Sequence, residues 1–299
     1  MFVVTYRKLF YTLSAILMIG SVVALGVWGL NFGIDFKGGA LLEVSYATTR
    51  PEVVAVKDAL NTLNLGEYSV RTTGNLGYII RTKAITPAEK TGILMALTLK
   101  DSQKVTENRF DSIGPLLGAE AARKAMASVA LVIVCIVLYI TFAFRKVSEP
   151  VSSWKYGLVA IFALVHDILV PTGVFAVLGH FKGYEVDTLF VTALLVILGF
   201  SIHDTIVVFD RVRENLRLSR REDFATTVGQ SINQTFTRSI NTSLTVLLAL
   251  IVLYFIGGES TRHFSLALLV GITAGTYSSI FLGSPLLVTL ERWQQRKTM

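Results

Sequence analysis

Six stretches of the chain are apolar over the length that an α-helix needs to cross a hydrocarbon layer. A core about 30 Å thick takes roughly 20 helical residues, and residues 9–30, 125–144, 156–179, 188–209, 239–257 and 264–290 meet that length. The last is longer than required and can tilt or protrude. Tyr11, Trp28, Trp154, Tyr156 and Trp293 fall near span ends, where amphipathic rings sit at the membrane–water interface. The pattern predicts a six-helix membrane bundle interrupted once, by residues 31–122.

That interruption carries the periodicities of a water-facing domain. Leu41–Tyr46 alternates as a strand does, and Val53, Val56, Leu60 and Leu63 follow at helical spacing behind Pro51. Tyr68–Thr72 and Tyr78–Lys83 read as two strands around a Gly74-Asn75 turn. Thr86-Pro87-Ala88-Glu89 supplies a cap, a first-turn proline and a capping-box carboxylate for a helix to about Leu99. Lys104–Ser112 completes the set. The order β-α-β-β-α-β is that of an α+β ferredoxin-like split βαβ unit. About 90 residues can enclose a small core. No His, Cys and carboxylate set converges there, which points to a binding or moving module rather than an enzyme.

Composition agrees with the pattern. The 299 residues are 52% hydrophobic and 16% charged, against roughly a quarter charged in soluble domains. A single cysteine, Cys135, excludes an internal disulfide and a multi-cysteine metal site. Neither a phosphate loop nor a G-x-G-x-x-G turn is present, so no nucleotide cofactor is expected. The apolar run Leu9–Leu30 follows Arg7 and Lys8; it is too long for a signal-peptide core and is expected to be an uncleaved anchor.

The net charge of +7 is accounted for by its placement. Arg7 and Lys8 precede the first span, and Arg145, Lys146 and Lys155 lie between the second and third. Arg211, Arg213, Arg217, Arg220 and Arg221 lie between the fourth and fifth, and Arg292, Arg296 and Lys297 close the chain. The alternate short loops hold only Lys182 and Arg262. This alternation predicts cytoplasmic termini and needs no nucleic acid. The organisation is thus a first transmembrane helix in 1–30, an extracytoplasmic domain in 31–122 and a five-helix bundle in 123–299.

Charges inside spans are costly and mark function by default. His166-Asp167 lies halfway along the third span, and His203-Asp204 lies in the fourth, near its cytoplasmic end. Arg238 opens the fifth span or sits in its first turn. The fourth and fifth spans run in opposite directions, which puts Asp204 and Arg238 at similar depth. A pair there lowers the cost of burying either charge. If it separates, a desolvated Asp204 takes up a proton, as a proton relay requires; if it does not, the pair is a fixed interhelical bridge. His203 is about 100° around the helix from Asp204, on the face of Asp210; it is read as a hydrogen-bonded polar residue of the bundle or as a pH tuner. Asp167 has no evident cationic partner and is read as protonated or as capping a neighbour. Gly271, Gly275, Ser279 and Gly283 form a small-residue ridge for bundle packing or for a partner subunit.

Two longer motifs carry a resemblance. Gly33-Ile34-Asp35-Phe36-Lys37-Gly38-Gly39 resembles the G-x-D-F-x-G-G signature of the bacterial SecD/SecF family. Leu198–Asn215 and Ser231–Ser243 are similar to the fourth-span signature of its SecF branch and to the segment entering the fifth span. The resemblance implies an RND-type membrane protein of the bacterial inner membrane, with 31–122 in the periplasm. It implies SecD and the SecYEG channel as partners, an unfolded polypeptide as cargo, and proton motive force as the energy source, with no metal or cofactor. Asp204 then carries the proton and Arg238 is its basic partner, with His203, Asp167 and His166 as possible modulators. Asp35 is part of the signature, with a structural role. Position 203 departs from the family, where asparagine is usual. Two other readings are a proton-coupled RND exporter of small molecules or lipids, and a scaffold stapled by buried charges.

Overall fold

A computed structural model describes residues 2–63, 65–99, 103–144, 153–218 and 223–298. The loop residues Arg145, Lys146, Arg220 and Arg221, used above to orient the chain, lie outside the described residues. The chain divides into two compact units, Phe32–Met126 and Met1–Asn31 with Ala127–Met299.

After a single helical turn at Phe2–Thr5, the elements in chain order are α1 (Arg7–Trp28), α2 (Ile34–Lys37), β1 (Gly39–Tyr46), α3 (Val53–Asn61), β2 (Ser69–Thr73), β3 (Gly77–Thr82), α4 (Pro87–Leu97) and β4 (Val105–Ile113). There follow α5 (Pro115–Ala143), α6 (Ser153–Lys182), α7 (Thr188–Leu218), α8 (Phe224–Ile256) and α9 (Glu259–Tyr277). A π-helical turn, Ser278–Gly283, then leads into α10 (Ser284–Thr298). Six spans are long and apolar enough to cross a membrane among the described residues: α1, α5, α6, α7, α8 and the continuous rod Thr261–Gln295. Beyond the first span, the helices outrun the apolar stretches read from sequence. α8 begins at Phe224, fifteen residues before the expected start at 239. The polar run Ser231–Thr237 is helical because its hydroxyls fold back onto the preceding turn: Ser231 Oγ donates to the Thr227 carbonyl at 2.7 Å and Thr235 Oγ1 to that of Ser231 at 2.9 Å. Arg238 therefore lies about four turns inside the helix rather than in its first turn.

The small-residue ridge of the last rod packs within the bundle. A Cβ on Gly275 would come within 2.9 Å of Ser201 Cβ, and one on Gly271 would strike Ile197. α9 and α7 thus approach almost backbone to side chain, as small residues permit. The π turn ends just before Pro285, which has no amide hydrogen to continue the ladder.

The unit Phe32–Met126 holds one antiparallel sheet in the order β2-β3-β1-β4. With α3 after β1 and α4 after β3, this is the ferredoxin-like topology expected from the element order. β1 sits between β3 and β4, with Leu42 opposite Ile80 and Phe110. Its inward side chains Leu42, Val44 and Tyr46 are buried against Val56 and Leu60 of α3 and Ile93 and Leu97 of α4. Tyr46 donates its hydroxyl to the Leu97 carbonyl at 3.2 Å, and burial pushes its pKa up to about 12.

α4 opens with a reciprocal capping box. Glu89 N–H donates to Thr86 Oγ1 at 3.3 Å, and Glu89 Oε2 accepts from Thr86 N–H at 2.7 Å. Those bonds, first the one from the Thr86 backbone, hold the Glu89 carboxyl below its ordinary value. Because the folded-state value is depressed, the cap's contribution is fully present above the unfolded glutamate value of about 4.3. It is lost as pH falls through the folded value. The protection factor of the Thr86 amide, its exchange rate taken against the intrinsic rate at each pH, is expected to fall on acidification across that window. Glu89→Gln should flatten that fall.

Candidate functional site

The buried polar groups of the bundle form two neighbourhoods on α6, α7, α8 and the last rod. In the first, Asp204 of α7 is buried and its Oδ1 accepts from Ser239 Oγ of α8 at 2.6 Å. Its Oδ2 is buried with no hydrogen-bond partner among the described residues. Among the described residues no direct ion-pair contact joins Asp204 to Arg238, but Arg238 is near enough for its charge to act on the Asp204 carboxyl. The helix explains why. Ser239 is one residue and about 100° beyond Arg238, and it is Ser239 that faces α7. Arg238 is exposed on the outer side of α8. His203 is likewise exposed on α7, on the same side as exposed Asp210.

The second neighbourhood centres on His166 and Asp167 of α6, both fully buried. His166 Nδ1 lies 3.0 Å from Asp167 Oδ1. Asp167 Oδ2 accepts from Ser201 Oγ of α7 and from Ser278 Oγ of the π turn, the latter at 2.9 Å. Among the described residues Asp167 is thus held by His166 and two side-chain hydroxyls rather than by a helix terminus. One residue on, Ser279 Oγ lies 2.8 Å from Thr205 Oγ1 and donates to the Ser201 carbonyl at 3.3 Å. Further along α8, Ser243 Oγ lies 2.6 Å from Thr276 Oγ1.

Ser201, Thr205, Ser239 and Ser278 are hydroxyl side chains of this site that sequence reasoning did not single out, and Ser279 was read only as part of the small-residue ridge. Their signal was present in the spacing: Ser201 and Thr205 are one turn apart on one face of α7, flanking Asp204. Asp35 lies in α2, inside the glycine signature. There Gly38 takes φ +76° and Gly39 φ +127°, which only glycine adopts freely. A Cβ at Gly38 would lie 2.7 Å from Pro115 Cα, and one at Gly118 2.7 Å from Gly38 N.

Six apolar helices, an inserted ferredoxin-like domain and buried carboxylates on polar faces of the spans define a multi-pass membrane protein built for transport. Two family models match the chain: "Protein export membrane protein SecD/SecF, C-terminal" over residues 94–293 and "SecD/SecF GG Motif" over residues 23–49. The chain belongs to the SecD/SecF family of protein export membrane proteins. It is 40% identical over 292 residues to the protein translocase subunit SecF of Anaerolinea thermophila, covering 97% of this chain and 94% of that one. It is 41% identical over 305 residues to that of Thermobaculum terrenum, covering 97% and 93%. Among solved structures it resembles SecDF of Thermus thermophilus, described as a translocon-associated membrane protein, with a TM-score of 0.83 and 31% identity. That match covers 97% of this chain but 38% of SecDF. The chain therefore corresponds to little more than a third of that longer protein.

Proposed function

We propose that this chain, a Sec protein-export subunit, works beside SecD at the SecYEG channel and couples proton motive force to polypeptide export. Protons pass by way of Asp204, and the 31–122 domain holds the emerging, unfolded chain and opposes its return. The work is binding and mechanical, with no covalent step. Both termini lie on the cytoplasmic side of the bacterial inner membrane and the domain in the periplasm, a reading supported by the alternation of basic loops.

The observation that carries the proton role is the half-satisfied carboxylate. Asp204 is buried in an apolar span with one oxygen bonded to Ser239 and the other unpartnered among the described residues. A buried carboxylate in that state is costly as an anion and gains by taking a proton. The test is export into inverted membrane vesicles with and without an imposed potential. Vesicles depleted of this chain should lose the potential-dependent increment and regain it when the chain is restored. An unchanged increment would sink the reading. No observation favours an exporter of small molecules or lipids.

Arg238 fits the same scheme from the outside. On α8 it is one of a stripe of exposed polar residues with Asn241, Thr242 and Thr245, inside a helix otherwise apolar enough to span a bilayer. Facing lipid, that stripe and its cation would be expensive. SecD covers it and adds a counter-charge for Arg238 to that of Asp204, which already acts on it within this chain. Arg238→Ala is accordingly expected to leave the isolated chain folded, with an unchanged thermal midpoint in detergent. It should lower SecD recovery in pull-downs and cut potential-driven export. A destabilised isolated chain would instead show that Arg238 serves this chain's own packing.

A further inference from the structure

A cavity of about 660 Å³ lies where the start of α1, the start of α8 and the last rod meet, at the end of the bundle away from the proton scheme above. Its lining includes Tyr6, Arg7, Lys8, Asp223, Thr226 and Arg292. The helical turn Phe2–Thr5 forms part of its wall. Val3 and Val4 of that turn are buried in the same apolar cluster as Phe224 and Ala225 of α8 and Leu287 and Val288 of α10. One turn further along α1, the hydroxyls of Tyr11 and Thr289 lie 2.9 Å apart and tie α1 to α10. Segments far apart in sequence therefore fix the cavity and the side chains around it.

The charges on this cavity do not balance. Arg7, Lys8 and Arg292 face it against the single carboxylate of Asp223. Among the described residues none of the four forms an ion pair. Arg7 donates one hydrogen bond, at 3.1 Å, to the neutral Val4 carbonyl. Glu291 is buried next to Arg292, and its carboxyl is within charge range of both Arg292 and Asp223. Three basic residues against these two acidic ones still leave an excess of one positive charge. Like charges gathered around one cavity repel one another, and an anion seated among them removes that repulsion.

The place of the cavity selects the source of the anion. Arg7 is the first residue of the first span, so the cavity sits at the level of the lipid headgroups. Directly beyond it on α1, Leu9, Leu13 and Ile16 are 64%, 45% and 61% exposed. Spacings of four and three residues put them in one apolar stripe running down the helix, a track for an acyl chain. Phe2 and Tyr6, with ring centroids 4.8 Å apart, are also exposed beside the cavity, as aromatic rings at a membrane interface are. A soluble anion uses the cations and none of this apolar surface, whereas a phospholipid uses both. A zwitterionic headgroup can set its phosphate on the basic residues and its ammonium on Asp223. The excess of positive charge favours a headgroup that is negative overall.

We propose that this cavity binds the headgroup of an anionic phospholipid, its phosphate held by Arg7, Lys8 and Arg292. The full chain in detergent is titrated with phosphatidylglycerol or with phosphatidylethanolamine of the same acyl chains, and bound lipid is counted by native mass spectrometry. Phosphatidylglycerol should bind about tenfold more tightly or better, at roughly fivefold per unit of basic charge near the headgroup. On the same scale Arg292→Gln should weaken its binding about fivefold, and Arg7→Gln with Lys8→Gln about twenty-five-fold. Asp223→Asn removes the opposing charge and should tighten it by about twofold or more. Equal binding of the two lipids overturns the proposal. So does an unchanged affinity for phosphatidylglycerol in Arg292→Gln or in the folded double variant, or a weaker one in Asp223→Asn. Displacement of the lipid by inorganic phosphate at the lipid's own concentration shows a site for free anions and overturns the lipid assignment. Should the double variant fail to fold, Arg292→Gln and Asp223→Asn, expected to move the affinity in opposite directions, still decide the matter.

Discussion

Asp204→Asn is expected to reduce potential-driven export to about the level seen without a potential, a loss of tenfold or more in the stimulated increment. Asparagine has the shape of aspartate, and its Oδ1 can keep the 2.6 Å hydrogen bond from Ser239. What it loses is the second oxygen, which finds no partner among the described residues, and with it the capacity to bind a proton. The substitution therefore separates fold from proton chemistry. One charge crossing 100 mV releases about 2.3 kcal/mol, enough to shift a two-state equilibrium roughly fifty-fold. A chain unable to load the proton forgoes that shift however well it folds. ATP-driven export in the same vesicles should be nearly unchanged. Full retention of the potential-stimulated rate would end the proton role. A further variant, Asp204→Leu with Arg238→Leu, separates coupling from stapling. A scaffold held by buried charges tolerates apolar replacement of both, whereas a proton carrier does not.

The parts of this molecule that were legible in the sequence are those set by periodicity. The spans follow from the number of apolar residues in a row, and the strands and helices of 31–122 fall within one or two residues of the observed bounds, apart from the longer helix start read at Pro51. Thr86 and Glu89 cap α4 as their spacing requires. The four-residue helix α2 was hidden because glycines and a short polar run set its φ angles, not its hydrophobicity. The polar start of α8 was misread for a related reason. A hydropathy reading takes Ser231–Thr237 as leaving the bilayer, but hydroxyls bonded to their own helix cost little and can be buried in a bundle.

The candidate site was legible in its charges and illegible in its partners. Depth along two antiparallel helices brings Asp204 and Arg238 to the same level, but a level is not an azimuth. One residue's rotation decides that Ser239 makes the hydrogen bond to Asp204, while the more exposed Arg238 acts on it only through its charge. The same limit applies to Asp167, whose partners Ser201 and Ser278 come from helices far apart in sequence. Small residues at Gly271 and Gly275 announced a close helix approach without naming α7 as the helix approached.

The largest structural effect is expected from Gly38→Val, in the signature shared by the family. Gly38 has φ +76°, and a Cβ there would meet Pro115 Cα at 2.7 Å, Pro115 N at 2.9 Å and Gly114 C at 3.2 Å. All three are backbone atoms, so no rotamer change relieves the clash. Gly118 completes the contact from the other side, where a Cβ would lie 2.7 Å from Gly38 N and 3.1 Å from the Phe36 carbonyl oxygen. The stretch leading into β1 and the first turn of α5 therefore touch backbone to backbone. The positive-φ, extended-ψ conformation of Gly38 (φ 76°, ψ 171°) is essentially open to glycine alone and costs another residue about 1–3 kcal/mol, and forced overpacking adds roughly 1–3 kcal/mol. A penalty of about 2–6 kcal/mol is a large part of the 5–15 kcal/mol that stabilises a typical domain. In the detergent-solubilised full chain, β1 amides should lose hydrogen-exchange protection by about two orders of magnitude or more. The amides of α6 and α7 should keep theirs. Gly92→Ala is the matched control: it lies in α4 with open space around it, and alanine there should be neutral or stabilising by up to about 1 kcal/mol. If Gly38→Val left β1 protection intact, the glycine pair would not be needed for this close approach. Its place in the signature would then call for a role in movement or binding rather than in packing.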